Sequence, residues 1–329
     1  MIIPTNEDIA AFASLAMTLE ASSYPKPGNV HRTKDFDETS FEHFLASAAS
    51  VYPVYSKAAD ETVGSLFYEA ILQSRRMQCG GNTHFGTFTL LIPLVKAANC
   101  LNVNSANLNP DKQDEIREKK NGKKIIERAF EICRRTTSED AVRFYEAFQL
   151  LPVYVNTTKP ESKESEYDLI DSASVEAIKK NGVTLFDLMK MSAKKDMIAA
   201  EWANGFEKSY LFARRLQENI YYFEENPGHR YKSVINSAVT LTFLEFMAAF
   251  QDSFIAAKFD VKTAEKIRQK AGRVLFRSNS GVTSKNLKKH IPKIKKMDKK
   301  MQKEKINPGS MADIAAAGIF IALLEGMTF

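Results

Sequence analysis

Apolar residues recur three and four apart along nearly the whole chain, the spacing that gathers them on one face of an α-helix, while alternating strands closed by hairpin turns are essentially missing. In residues 6–21 the stripe is Ile9, Phe12, Ala13, Ala16 and Leu19, behind a Thr5/Asn6 cap. Thr39-Ser40-Phe41-Glu42 supplies a capping-box pattern ahead of Phe41, Phe44, Leu45, Ala48 and Tyr52, until Pro53 disturbs that stripe. Further helices are predicted over 62–78, 84–99, 122–135, 138–150, 172–180 and 184–191. Two long ones follow over 193–224 and 231–258, parted by Asn226-Pro227-Gly228, and a last one runs over 308–324. The expectation is an all-α fold, a single multi-helix orthogonal array spanning 1–329, with only 151–155 patterned as a short extended piece. The polar stretches 101–121 and 156–171 read as surface insertions.

With 329 residues, 44% of them hydrophobic, such a chain can bury a large core. Cys79, Cys100 and Cys133 lie far apart with no Cys-x-x-Cys pair, which argues against a zinc site or a disulfide framework and favours a reducing, cytoplasmic setting. The first residues carry no basic stretch followed by an apolar one, so no export signal is expected. The longest apolar runs, 239–250 and 314–324, are too short or carry Glu245, so membrane spans are not expected either. The net charge of +6 is local: ten lysines against Asp298 and Glu304 fall within 281–306, which leaves the remainder at −2. Because no aromatics interleave these lysines, nucleic acid is not the expected partner. The segment reads as a solvated or disordered loop, or as a mobile lid over a polyanionic ligand.

Three short turns stand out against this helical background: Tyr24-Pro25-Lys26-Pro27-Gly28-Asn29-Val30-His31-Arg32, Gly80-Gly81-Asn82-Thr83-His84-Phe85-Gly86, and Asn307-Pro308-Gly309-Ser310-Met311-Ala312-Asp313. Each adjoins helical periodicity and can present backbone N–H groups at a helix end, a geometry that suits phosphate. Lys26 and Arg32 are candidate phosphate cations flanking Gly28 and Asn29, where backbone can approach closely. The alternative for Lys26 is a solvated turn lysine. Asn82, Thr83, Gly309 and Ser310 are candidate nucleotide contacts at their helix starts. His84 is the catalytic candidate, able to accept a proton from an attacking hydroxyl or to hydrogen-bond a phosphate. Asp313 is a metal-ligand candidate whose structural alternative is compensation of a helix dipole. Asp35, Asp37 and Glu38 form an acidic cluster that could complete a metal shell. Glu245 and Asp252, seven apart and so on one helical face, form a further carboxylate pair, and Trp202 is the lone tryptophan.

The same turns, as Glu20-…-Tyr24-Pro-Lys-Pro-Gly28, Asn82-Thr83-His84-x-Gly86 and Asn307-Pro-Gly-Ser-x-Ala-Asp313, resemble the signature segments of the triphosphoribosyl-dephospho-CoA synthase family, in that family's order. Asp35-Phe36, Phe41 and Ala46-Ser47-Ala48 are similar to the stretch that follows its first motif, which singles out Asp35 within the acidic cluster. The resemblance implies an all-helical enzyme that joins the ribose triphosphate of ATP to the 2′-hydroxyl of dephospho-CoA and releases adenine. Taken with the reading of the residues, it makes a Mg²⁺-dependent enzyme the expectation, with His84, Asp313 and Asp35 catalytic and Asp35 and Asp313 on the metal. The partners expected are a nucleotide and a CoA-type acceptor, with homo-oligomerisation left open. The chain departs from the pattern at Phe85, where the family usually has Lys, and at His31, where it has an acidic residue. It also lacks the family's Gly-Ala-Arg-Gly-Glu-Ala segment, near Glu201-Trp202-Ala203-Asn204-Gly205-Phe206, and its Asp-Thr-x-x-x-x-Arg-Gly-Gly stretch, near Gln251-Asp252-Ser253. Two other readings of the residues stand beside this one: a metal-dependent nucleotide or N-glycosidic hydrolase, and a nucleotide-binding protein without turnover.

Overall fold

The computed structural model describes residues 4–106, 122–151, 167, 169, 173–275 and 286–329. Helices account for the ordered backbone, in the order α1 (Asn6–Ser22), α2 (Phe41–Ser50), α3 (Tyr52–Ser56), α4 (Val63–Met77), α5 (Phe85–Ala106), α6 (Gly122–Arg134), α7 (Ser138–Gln149), α8 (Ala173–Asn181), α9 (Leu185–Ser192) and α10 (Met197–Asn204). They continue with α11 (Glu207–Glu225), α12 (Val234–Ala249), α13 (Ser253–Lys258), α14 (Val261–Leu275), α15 (Leu287–Lys303) and α16 (Gly309–Leu324). Among the described residues there is no strand, and the one isolated bridge joins His31 to Lys34. The fold is all-α, as the periodicity requires.

Differences from the sequence pattern occur where a cap interrupts a stripe that would otherwise continue. The helix expected over 193–224 breaks at Gly205 and Phe206, both at positive φ, where the Gly205 and Phe206 N–H groups return to Glu201 O. The helix expected over 231–258 ends at Ala249 and restarts at Ser253, because the Asp252 carboxylate accepts the Ile255 N–H as an N-cap. At α2, Ser40 N–H donates to His43 Nδ1, so the cap partner is His43 rather than Glu42. Helix α14 was not among those expected. The insertions at 101–121 and 156–171 lie outside the described residues, except that 101–106 extend α5 and that Tyr167 and Leu169 are placed; 152–155 of the extended piece lie outside as well.

The sequence treats 1–329 as one domain; by internal contacts the chain divides into two compact units, Met1–Ser14 with Ala46–Phe206, and Leu15–Leu45 with Glu207–Phe329. In the first unit α4 packs on α7 and α5 on α6. The α4–α7 approach is very close: the Gly64 N–H donates to Asp140 Oδ1 (2.7 Å), and a Cβ added at Gly64 would lie 2.5 Å from Asp140 Cα. Asp140 also closes the capping box at Thr137 that starts α7. Next to this contact Phe67 stacks on Phe144, and Phe85 meets both edge-on. In the second unit α16 is buried almost all round, and α11 and α12 pack against it. A helix apolar on every side belongs inside a core.

Substituting Gly64→Ala is expected to lower unfolding free energy by about 1–3 kcal/mol, because the clash is with backbone and no rotamer change relieves it. Urea denaturation of wild type and variant measures it. A gain in stability, as helix propensity alone predicts, would refute the close-packing argument.

Candidate functional site

The Tyr24–Arg32 turn is built into the second unit from its own side chains outward. Lys26 is 1% exposed and its Nζ is paired with Glu20 Oε1 at the end of α1, so it is not a solvated turn lysine. Burial pushes the Glu20 carboxyl up and the Lys26 ammonium down from their ordinary ranges, and the attraction between them opposes both shifts. Asp298 and Asp313 add to the field that favours the charged lysine. Two residues on, Gly28 has φ +84°, and a Cβ there would come within 2.4 Å of Ile306 O, so both backbone angle and space demand glycine.

Helix α15 fastens this turn. Asp298 accepts the Gly28 N–H on Oδ1 (2.9 Å) and His31 Nε2 on Oδ2 (3.1 Å). Gln302 Nε2 donates to Asn29 O (2.6 Å), and the Lys295 ammonium lies over the rings of Tyr24 and Tyr231 (5.2 and 5.5 Å to the centroids), two tyrosines whose attraction holds it above the usual lysine range. The lysine-rich segment is therefore a helix rather than a solvated loop across its described part; 281–285 lie outside the described residues. Its buried face is Leu287, Ile291, Ile294, Met297, Asp298 and Met301, and the lysines occupy the rest.

The third turn arrives at the same place. Asn29 Nδ2 donates to Asn307 Oδ1 (2.7 Å) and reaches Pro308 O (3.5 Å), while Asn29 Oδ1 is buried with no hydrogen-bond partner among the described residues. Pro308 stands at the N-cap of α16, followed by Gly309 and by Ser310, whose hydroxyl meets that of Ser253 (2.9 Å). Asp252 carries a structural load here: its two oxygens accept Ile255 N–H and Met311 N–H, joining the starts of α13 and α16. Glu245 instead grips Arg215 through two hydrogen bonds (2.7 and 2.6 Å). The expected Glu245–Asp252 pair is thus dissolved, because the helix that would align the two ends between them. Asp313 is half-buried just beyond the first turn of α16, which weakens its reading as a dipole-compensating residue.

Other candidates have plainer surroundings. Arg32 is exposed and its Nε donates to Ser22 O. Asp35 is exposed and accepts the Phe41 N–H (2.8 Å), which makes it a cap of α2, and Asp37 pairs at the surface with Lys305. Trp202 is a core residue whose Nε1 donates to Thr89 O.

The middle turn belongs to the first unit. Asn82 Oδ1 accepts the Phe85 N–H as the cap of α5, and His84 is buried with Nδ1 2.9 Å from Ser47 Oγ. Phe85, where lysine was the family expectation, packs into the Phe67/Phe144 cluster.

Among the described residues no group of three or more His, Cys, Asp or Glu side chains could hold a metal ion, so neither Asp35 nor Asp313 belongs to a preformed metal site. The donor set nevertheless has a direction. Lys26 lies in the field of Glu20, Asp298 and Asp313; Glu20 is taken by Lys26 and Asp298 by the Gly28 N–H and His31, so a divalent ion here would draw its remaining oxygens from a phosphate chain.

The family model described as CitG, ATP:dephospho-CoA triphosphoribosyl transferase, matches residues 6–328. The chain belongs to the CitG family. Its fold is similar to the crystal structure of an Archaeoglobus fulgidus protein described, provisionally, as a triphosphoribosyl-dephospho-CoA synthase, at 27% identity and TM-score 0.59 over 86% of this chain and 99% of that one. The comparison with curated proteins gives no match. As a CitG-family member the protein is a transferase, and the Lys26–Gly28 and Pro308–Ser310 turns that carried the resemblance share one hydrogen-bonded cluster. Glu20, Asp298 and Gln302 complete that cluster. Glu20 was visible only as part of the first motif, and Asp298 only as a solitary acid among lysines.

Lys26→Met alone is expected to cost about 3–5 kcal/mol, by leaving Glu20 buried and unpaired, and the double variant with Glu20→Gln should recover most of the loss. Thermal and urea unfolding of the four-member cycle reads the coupling; additive losses would count against a paired role. Separately, Asp298→Ala is expected to cost about 1–3 kcal/mol, since it strips the Gly28 N–H of its acceptor. No change in the urea midpoint would show that α15 does not hold the turn.

Proposed function

We propose that this CitG-family protein transfers the 5-triphosphoribosyl group of ATP to the 2′-hydroxyl of dephospho-CoA and releases adenine. The observation that carries the reading is the hydrogen bond that joins the Lys26–Asn29 and Asn307–Ser310 turns, the first holding the buried Lys26–Glu20 pair and the second leading into the start of α16. Such a cluster offers what a triphosphate needs: fixed charge, amide donors and close backbone approach.

In the reaction the acceptor oxygen bonds to ribose C1′ as the C1′–N9 bond to adenine breaks; a protein group takes the acceptor's hydroxyl proton, and the departing adenine is protonated in turn, so that charge balances overall. Positive charge grows on the ribose, and a carboxylate near it lowers the barrier. Asp313 would hold Mg²⁺, with the phosphates of the substrate supplying the other oxygens, and the ion when bound would neutralise phosphate charge. Lys26 supports the phosphates through its field and Asn29 through its amide. His84 serves either as the group that accepts the hydroxyl proton or as a hydrogen-bond donor to substrate. A cytoplasmic setting is part of this proposal; among the described residues no helix is long and apolar enough to cross a membrane.

The test is a mixture of protein, ATP and Mg²⁺ with and without dephospho-CoA, followed by chromatography of adenine and mass analysis of the acceptor. Adenine and a triphosphoribosylated acceptor should form only when both substrates are present, and Asp313→Asn should lower kcat/KM roughly 100-fold. Adenine or phosphate released without acceptor would replace this reading with a hydrolase, and nucleotide binding without any product would replace it with a sensor.

A further inference from the structure

His84 sits at the end of a chain of side chains whose hydrogen-bond directions are fixed by the backbone. The chain starts at Gln78, whose amide is oriented by two groups that permit only one role each: the Gly80 N–H donates to Gln78 Oε1 (2.6 Å), and Gln78 Nε2 donates to Gly81 O (3.2 Å). The same Nε2 lies 3.4 Å from Ser74 Oγ and can only donate to it. The Ser74 hydroxyl must therefore send its own proton elsewhere, and its remaining partner is Ser47 Oγ at 2.8 Å. Ser47 is fully buried, and among the described residues its hydroxyl has two partners, Ser74 and His84. Having accepted from Ser74, it donates to His84 Nδ1 at 2.9 Å. The reverse arrangement, with Nδ1–H donating, would give Ser47 two incoming protons and leave its own O–H buried without an acceptor.

We infer that Gln78, Ser74 and Ser47 act as positioning residues that hold His84 as the neutral Nε2–H tautomer, so that His84 enters the reaction as a hydrogen-bond donor through Nε2 and not as its general base. This choice rests on the proposed triphosphoribosyl transfer, in which both roles were open to His84. A donor at this position suits an electron-rich acceptor on the substrate, a phosphate oxygen or the ring nitrogen of the departing purine. The proton of the attacking hydroxyl then goes to another group, for which a carboxylate has the right chemistry.

The decisive measurement is the tautomer itself, by long-range ¹H–¹⁵N correlation on the full-length protein. The chain has five histidines, so His84 is assigned by comparison with the His84→Gln variant. The expected spectrum has a protonated Nε2 and an unprotonated Nδ1 shifted far downfield, and Ser47→Ala should abolish that preference. A protonated Nδ1 in the wild type, or the same tautomer after Ser47→Ala, overturns the inference; the wild-type spectrum decides the first point even where the variant fails to fold. In turnover, His84→Gln, which keeps an amide donor, should retain at least tenfold more kcat than His84→Ala, and equal loss in both would overturn the donor role. Wild-type turnover by His84→Ala would instead refute participation of His84 in the transfer reaction, a result distinguishable from failure of the tautomer assignment.

Discussion

A lysine and a glutamate buried side by side organise the second unit. Taking Lys26 and Glu20 out of water costs more than their attraction returns unless the surroundings supply further partners and close contacts. The turn that carries Lys26 is accordingly held at several points: by Asp298 and Gln302 from α15, by Asn307 and Pro308 ahead of α16, and by the requirement for glycine at position 28. Rigidity of this kind is what a phosphate site needs, because donors fixed beforehand need not be reorganised when charge arrives.

The same economy is visible in the polar groups that link helices. Asp252 joins the starts of α13 and α16, Asp140 serves both the α7 cap and the Gly64 N–H, and Asp298 serves two groups of one turn. In each case a carboxylate with two acceptor oxygens satisfies two donors at once and ties its own stretch of chain to a distant one, which fixes distances that apolar packing alone would leave loose.

Helices were legible because their apolar stripes are local, and the two turns at the ends of the chain were legible because glycine and proline mark them. What escaped was decided by contacts far apart in sequence or by single caps. Nothing near Glu20 announces that it meets Lys26, and the breaks at Gly205 and Asp252 fall inside stripes that continue beyond them. The lysine-rich segment was misread for a different reason. Counting its charge concealed the spacing of Leu287, Ile291, Ile294, Met297 and Met301, which is a helical stripe, and Asp298 on that buried face looked like a minor correction to the charge. His84 was legible as a chemical group, but its direction of hydrogen bonding was not, since that depends on Gln78, Ser74 and Ser47 together.

The depth of Lys26 also separates it from Arg32. An exposed guanidinium is screened by dissolved ions within about 10 Å at 0.1 M salt, whereas a charge enclosed by protein is screened much less. Any pull that Arg32 exerts on an anion in solution would fade as ionic strength rises. Lys26 keeps its influence on whatever lies beside the turn across the same range, so capture and retention of an anion at this place would answer differently to salt.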